Sequence, residues 1–519
     1  MKTDFIIDAH PEVTRIAVLE DGRLMELIIQ RANETRLVGN INLGRVNAVL
    51  PGMQAAFVDI GLERSAFLHV SDVRTGVIKA KEFAKSLVEG SPLNSSDTDA
   101  SIENLLHNGQ EVLVQVTKEP IGTKGARVSS RISIAGRYVV SMPGDSVAGV
   151  SRKIADRKER VRIRSILRDI RRNGFGVIAR TAAIGQSAEA LKSDFQRIVE
   201  TWKEIGQTTL KSKAPTLIHK ERDVVTTALR DLATPDVHTI VTNSKEVRNR
   251  ATKYLKKMAP KLAGKVKLYK GKTPIFDHYD LEGEITQIMA REVPLKSGGS
   301  VVIEHTEALV AIDVNTKRYV GKRDQDSTIF KTNMEAAKEV ARQLRLRDMG
   351  GIIVIDFIDM ENQRHKEKLL NTLRSELGRD RSPTKTCQVS PLGLVEMTRK
   401  RVRPSLMQSM SEPCSNCRGS GRVLSPASAA TMLERFLERA SIKKKHKNLV
   451  VTLHPQLSTY LLSDGMRKVG YLADMDRMNV EFREDPKLRV DEFKAYSLDT
   501  HEDVTDLYSS WDRSSGSGS

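Results

Sequence analysis

The chain has 519 residues, with 84 Lys and Arg against 66 Asp and Glu, for a formal net charge of +18. That length is enough for several domains, and the cation excess points to a polyanionic partner, nucleic acid ahead of an acidic membrane surface. No apolar run approaches the roughly 20 residues of a membrane-spanning helix, the opening MKTDFIIDAHPEV lacks a signal-peptide layout, and three cysteines, two of them in a CxxC, make no secreted disulfide framework, so a soluble, cytoplasmic protein without an integral membrane segment is expected.

Residues 1–36 alternate as strands (DFIIDAH, TRIAVLED, RLMELIIQR) with Asp21-Gly22 as a hairpin turn. They are too few to fold alone and must join a sheet completed elsewhere. Over 37–129, short strands separated by Gly and Pro turns predict a small closed barrel of the OB type. Within it, the polar stretch at about 79–108, centred on SPLNSSDTDA, reads as a mobile excursion. Strands and the basic helix IADRKERVRIRSILRDIRRN follow over 130–213, ending in the strand GFGVIART and its continuation, and residues 214–278 alternate helix and strand. Residues 279–410 contain two apolar strands, ALVAIDVNT and GGIIVIDFIDM, joined by a segment with helical spacing that stops at Gly350-Gly351. A cysteine-bearing link (411–424), a small α/β domain (425–509) and a Ser/Gly-rich, disordered tail (510–519) complete the chain, with no internal repeats.

The strand, helix, strand unit predicts parallel strands that deliver Asp313 and Asp356 at their C-terminal ends, where open α/β sheets place ligands. Two carboxylates converging with Asn315 make an all-oxygen site suited to Mg²⁺ or Mn²⁺, although capping of strand ends explains such aspartates too. Asp359 is either a helper or a helix cap. Phe57 and Phe67 lie in AAFVD and SAFLH, where Phe57 shares a face with Asp59 and Phe67 with His69. Exposed, they would stack on unpaired bases; buried, they would be core. Cys414 and Cys417, in EPCSNCRGSGRV, supply half of a Cys₄ zinc site, with glycines freeing the backbone to donate toward sulfur. The remaining cysteine, Cys387, lies upstream in a predicted strand, so the other two ligands would come from a second copy across a two-fold axis. A redox CxxC is the competing reading.

AIDVNT, F-x-TN-x-EAA-x-E-x-ARQLRLRD-x-GG and IDFIDM together resemble the catalytic core of the RNase E/RNase G family of bacterial endoribonucleases, over most of the chain from Phe5 to about Lys494 and nearest the shorter RNase G type. The resemblance implies a multidomain α/β fold: an RNase H-like domain (1–36 and 214–278) with an inserted S1 RNA-binding barrel (37–129) and 5′-sensor region (130–213), then a DNase I-like catalytic domain (279–410). It implies that Asp313 and Asp356 hold a catalytic Mg²⁺ supported by Asn315, and that Phe57 and Phe67 grip single-stranded RNA. Lys118 and Lys124, flanking Gly122, would touch phosphates. Gly136, Val140, Arg152, Arg180 and Thr181 match the 5′-phosphate sensor pocket. Cys414 and Cys417 would bind Zn²⁺ between two chains, giving a homodimer or homotetramer; Ser415 stands where the family commonly has proline. The 79–108 excursion is longer than the family usually has. The implied activity is Mg²⁺-dependent cleavage of single-stranded AU-rich RNA, stimulated by a 5′-monophosphate, in rRNA maturation and mRNA turnover. A non-catalytic S1-type RNA-binding protein is the alternative, and a zinc-dependent DNA-binding protein is a poorer third, since one CxxC builds no finger.

Overall fold

The computed structural model describes residues 2–508 apart from 33–35, 75–78, 90–100, 121–123, 146, 173, 235, 317–324, 402–404, 444 and 464–477. The chain divides into two compact units, Met1–Ser409 and Met410–Ser519.

In the first unit, Val13–Glu20 and Arg23–Arg31 form a hairpin whose turn places both Asp21 (φ 48°) and Gly22 (φ 81°) in the left-handed region that two-residue hairpin loops require. Strand Thr3–Ala9 pairs antiparallel with this hairpin and parallel with the distant Val237–Thr242, and Val266–Leu268 adds the far edge. Its nearly continuous burial explains the long-range partner: a strand apolar on both faces needs cover on both. Helices Val224–Leu232 and Lys245–Met258 bury Val225, Leu229, Val247 and Leu255 in one cluster with Phe5, Ile7, Ile16 and Val18.

A closed barrel follows, in the order Ile41–Leu50, Ala55–Asp59, Ala66–His69, Arg127–Ser129, Glu111–Lys118 and back to Ile41–Leu50. Gly44 lies where the first strand passes close against the second, because a Cβ there would sit 2.6 Å from Val58 Cγ1 and 2.9 Å from Asp59 O. The expected excursion differs from its reading. Ala80–Glu89 is an amphipathic helix that buries Ala80, Phe83, Ala84 and Leu87, and it packs on Ala188–Lys211 at Gly206, where a Cβ would meet Ala84 O at 2.7 Å. Helix Ile102–Leu105 turns Ile102 and Leu105 into the barrel core. The apolar residues recur at helical spacing among Lys, Glu and Ser, so average polarity hid them. The polar centre of the stretch, 90–100, lies outside the described residues, as does the expected disordered tail.

Ala148–Val150, Phe175–Ala179, Val139–Pro143 and Ile134–Ala135 form a four-stranded sheet backed by helices Arg157–Ile170 and Ala188–Lys211. The last sheet of this unit has six strands, ordered Glu292–Pro294, Ser300–His305, Leu309–Asn315, Gly351–Asp356, Leu394–Arg399 and Thr384–Val389. Helices Gln325–Leu346 and Gln363–Leu377 pack on its buried residues Val310, Ile312, Ile353 and Ile355. Ion pairs tie the first of these helices to the N-terminal hairpin: Arg345 to Glu20 (2.6 Å) and Glu26 (3.1 Å), and Glu339 to Arg23 (3.0 Å).

The second unit is a small α/β domain with the sheet order Asn479–Glu484, Asn448–Leu453, Phe493–Ser497, Glu502–Asp503, covered by helix Pro426–Lys443. Among the described residues no helix is long and apolar enough to cross a membrane.

Candidate active site and nucleic-acid interface

Strands Leu309–Asn315 and Gly351–Asp356 are parallel, and their register sets Asp313 directly opposite Asp356. Strand alternation turns Ile312, Val314 and Ile355 inward and leaves both aspartates exposed, on strands spaced about 4.8 Å apart. Asn315 Nδ2 donates to Asp313 Oδ2 at 2.7 Å, which fixes that carboxylate's orientation. Partial burial, then the negative charges of Asp313 and Asp359, push the Asp356 carboxyl above its ordinary range. Asp359 is no helix cap: Asn362 caps helix Gln363–Leu377, accepting from Arg364 N at 2.9 Å. Among the described residues no three His, Cys, Asp or Glu gather as a metal cluster. Two facing carboxylates and one amide offer oxygen donors only, an incomplete hard set of the kind that could hold Mg²⁺ and in which a cation would relieve the repulsion on Asp356.

Sequence reasoning missed Asn333. Fully buried, it donates to Ile358 O at 2.7 Å and accepts from Ile358 N at 3.1 Å, pinning the loop that leaves Asp356. Its place in the TN-x-EAA segment was the available signal.

On the barrel, Phe57 and Phe67 are cross-strand partners with ring centroids 6.0 Å apart, and His69 lies 6.4 Å from Phe67. Ala56, Val58, Ala66 and Leu68 fill the interior, so both rings stand half-exposed on the outer face. Arg127, also missed, pairs in register with both Phe67 and Lys118 and brings those two into adjoining rows. Lys118 and Lys124 are exposed; the intervening Gly122 lies outside the described residues.

The residues matched to a 5′ pocket gather at one end of the four-stranded sheet. Val150 and Val139 both pair with Ala179, so the backbone leaving Phe175–Ala179 at Arg180 lies beside the turn carrying Arg152 and the hairpin carrying Gly136. Val140, half-buried in that hairpin, pairs with Ile178, and Thr181 is exposed. Gly136 cannot carry a side chain, since its Cβ would sit 2.8 Å from Asp194 Cγ. Asp194 accepts from Tyr138 N (2.7 Å) and Val139 N (3.1 Å) and so shapes the hairpin. Arg180 is not free: Nη1 donates to Gly136 O at 2.8 Å and Nη2 to Asp231 Oδ1 at 2.7 Å. Burial acts to raise the Asp231 carboxyl, but the charges of Arg230 and Arg180 outweigh it and hold it below the usual range.

In the second unit Cys414 is exposed and Cys417 half-buried. The N–H groups of Cys417 and Asn416, then the Cys417 thiol, hold the Cys414 thiol below its ordinary range. The donors to Cys414 are thus Asn416 and Cys417 rather than the glycines; Gly419 (φ 93°) and Gly421 (φ 70°) instead supply the turn that leaves the knuckle. Cys387 is exposed on the edge strand Thr384–Val389 of the first unit.

Residues 133–402 match the description "Ribonuclease E/G family", and 413–498 match "RNase E/G, Thioredoxin-like domain". The chain is 40% identical to Ribonuclease G of Salmonella typhimurium over 425 residues, 82% of this chain and 85% of that protein. It is 38% identical to Ribonuclease G of Haemophilus influenzae over 463 residues, 89% of this chain and 92% of the relative. It is 36% identical to Ribonuclease E of the same organism over 511 residues, spanning 98% of this chain and 53% of that longer protein.

Proposed function

The chain belongs to the ribonuclease E/G family and is an endoribonuclease, and from that premise we propose that it hydrolyses phosphodiester bonds of single-stranded RNA at the Asp313–Asp356 edge. The observation that carries this is the parallel register that faces two exposed carboxylates, one of them held by Asn315. Asp313 and Asp356 would hold Mg²⁺, and Asn315 keeps Asp313 aimed at it. A bound Mg²⁺ supplies a water of lowered pKa and neutralises charge on the phosphate. Asn333 keeps the Asp356 loop in place, and the products carry a 5′-phosphate.

The same reading assigns the barrel as an S1-type domain in which Phe57 and Phe67 stack on unpaired bases while Lys118, Lys124 and Arg127 meet phosphates. Arg180 and Thr181, with Gly136, Val140 and Arg152, would receive a 5′-monophosphate, with Arg180 sharing its guanidinium between the phosphate and Asp231. The surrounding sheets take the RNase H-like and DNase I-like roles, the substrates are AU-rich segments of rRNA precursors and mRNA, and Cys414 and Cys417 share Zn²⁺ with a second copy in a homodimer or homotetramer.

The test is a 5′-labelled single-stranded oligonucleotide incubated with and without Mg²⁺, using wild type, Asp313→Asn and Asp356→Asn. Asn keeps the shape and removes the charge, so cleavage should fall by orders of magnitude while RNA binding stays near wild type. Wild-type rates in Asp313→Asn would overturn the assignment; binding without Mg²⁺-dependent cleavage would favour the non-catalytic reading.

A further inference from the structure

Two rings on the helices that pack against the aspartate-bearing strands have no part in the reading above. Phe330, near the start of helix Gln325–Leu346, and His365, in the first turn of helix Gln363–Leu377, stack with centroids 4.1 Å apart and planes 21° from parallel. The Lys368 ammonium lies 5.5 Å from the Phe330 centroid. Both rings are half-buried, whereas the residues by which these helices meet the sheet, among them Ala337, Val340, Leu369 and Leu373, are buried. The stack therefore sits on the rim of the helix layer, outside its packed core.

Connectivity places it at the aspartate edge. In a parallel strand, helix, strand unit the helix begins at the C-terminal ends of the strands, which here is the Asp313 and Asp356 end. Asn333, one turn from Phe330, holds Ile358 in the loop that leaves Asp356, and that loop runs directly into the helix carrying His365. Lys368, over the Phe330 ring, is exposed, as are Lys331 and Arg364, the sequence neighbours of the two rings.

We propose that the Phe330–His365 stack is a nucleobase platform for the nucleotide beside the scissile phosphate. This rests on the endonuclease reading and adds to it a residue-level account of how the chain is held in register with the carboxylates. Two stacked, half-exposed rings offer an outer face to a third, every base has a π-face, and the neighbouring cations meet the backbone phosphate. The platform fixes position without selecting sequence.

The experiment uses an oligonucleotide that the wild type cleaves with Mg²⁺, with a single abasic nucleotide moved stepwise across the cleavage site, assayed on wild type, Phe330→Leu, Phe330→Trp and His365→Gln. At one position the missing base should lower wild-type kcat/KM by about ten- to a hundredfold. In Phe330→Leu the intact substrate should already be slowed by a similar factor, and the abasic site should add little; Phe330→Trp should keep the wild-type pattern. Should a variant fail to fold, 2-aminopurine at that position reports directly, because its fluorescence should be quenched by stacking when the folded Asp313→Asn protein binds. Equal abasic penalties in wild type and Phe330→Leu, or no quenching at any position near the site, would overturn the platform while leaving the nuclease intact. Absence of wild-type cleavage would remove the endonuclease reading and this one with it.

Discussion

Asn333 shows how much of the site depends on a side chain that meets no substrate in this reading. Its amide satisfies both backbone groups of half-buried Ile358, and removing it leaves that N–H and C=O to water or unpaired, at a cost of at most about 1–3 kcal/mol each. Asn333→Ala is expected to lower Tm and reduce kcat more than it raises KM, since the disturbed loop follows directly on Asp356; a loss confined to KM would return Asn333 to a purely structural role. Arg180 is a second residue whose surroundings change the expectation. If it receives a 5′-phosphate, the charged hydrogen bonds lost in Arg180→Gln correspond to a ten- to hundredfold preference, about 1.5–3 kcal/mol, for 5′-monophosphate over 5′-hydroxyl RNA. The variant should lose that preference and keep its rate on 5′-hydroxyl substrates, measured on two oligonucleotides that differ only at the 5′ end. The variant also strips Asp231 of one cation. Because the folded Asp231 carboxyl lies below its ordinary value, its pairing stabilises fully above pH about 4 and is lost as pH falls through the lower folded value. Arg180→Gln should accordingly flatten the acid limb of the stability profile.

Among the elements, the helix Ala80–Glu89 departs furthest from what composition suggests. Phe83 and Leu87 anchor it on Ala188–Lys211, and burial of this kind makes a large-to-small change cost about 3–5 kcal/mol for a phenylalanine. Phe83→Ala should lower Tm, and Gly206→Leu should do so by the opposite route, driving a side chain into the Ala84 carbonyl. Thermal melts of the two variants distinguish a docked helix from a mobile loop, because substitutions in a loop leave Tm nearly unchanged. By contrast, the hairpin at Asp21-Gly22 and the strand, helix, strand unit were legible from turn chemistry and from the change of apolar period alone.

For the whole molecule, the decisive question is what completes the Cys414–Cys417 pair. The Cys414 thiol, held by the N–H groups of Asn416 and Cys417, and the Cys417 thiol beside it would supply half of a tetrahedral shell. If a second copy supplies the rest, elemental analysis should find about one zinc per two chains, and Cys414→Ala with Cys417→Ala should release the metal and reduce the mass by one step of assembly. One zinc per chain, with unchanged mass in the double variant, would count against sharing.

The sequence by itself determined the periodic elements, the closed barrel and the two aspartates, because turn residues, apolar spacing and strand-end charges are local signals. Tertiary structure alone decided which groups face one another. Register, a long-range property, set Asp313 opposite Asp356 and put Arg127 between Phe67 and Lys118, and packing of helices closed Asp231 on Arg180 and stacked Phe330 on His365. Each of those contacts joins residues far apart in the chain or on different elements, and no spacing along a sequence encodes a distance across a fold.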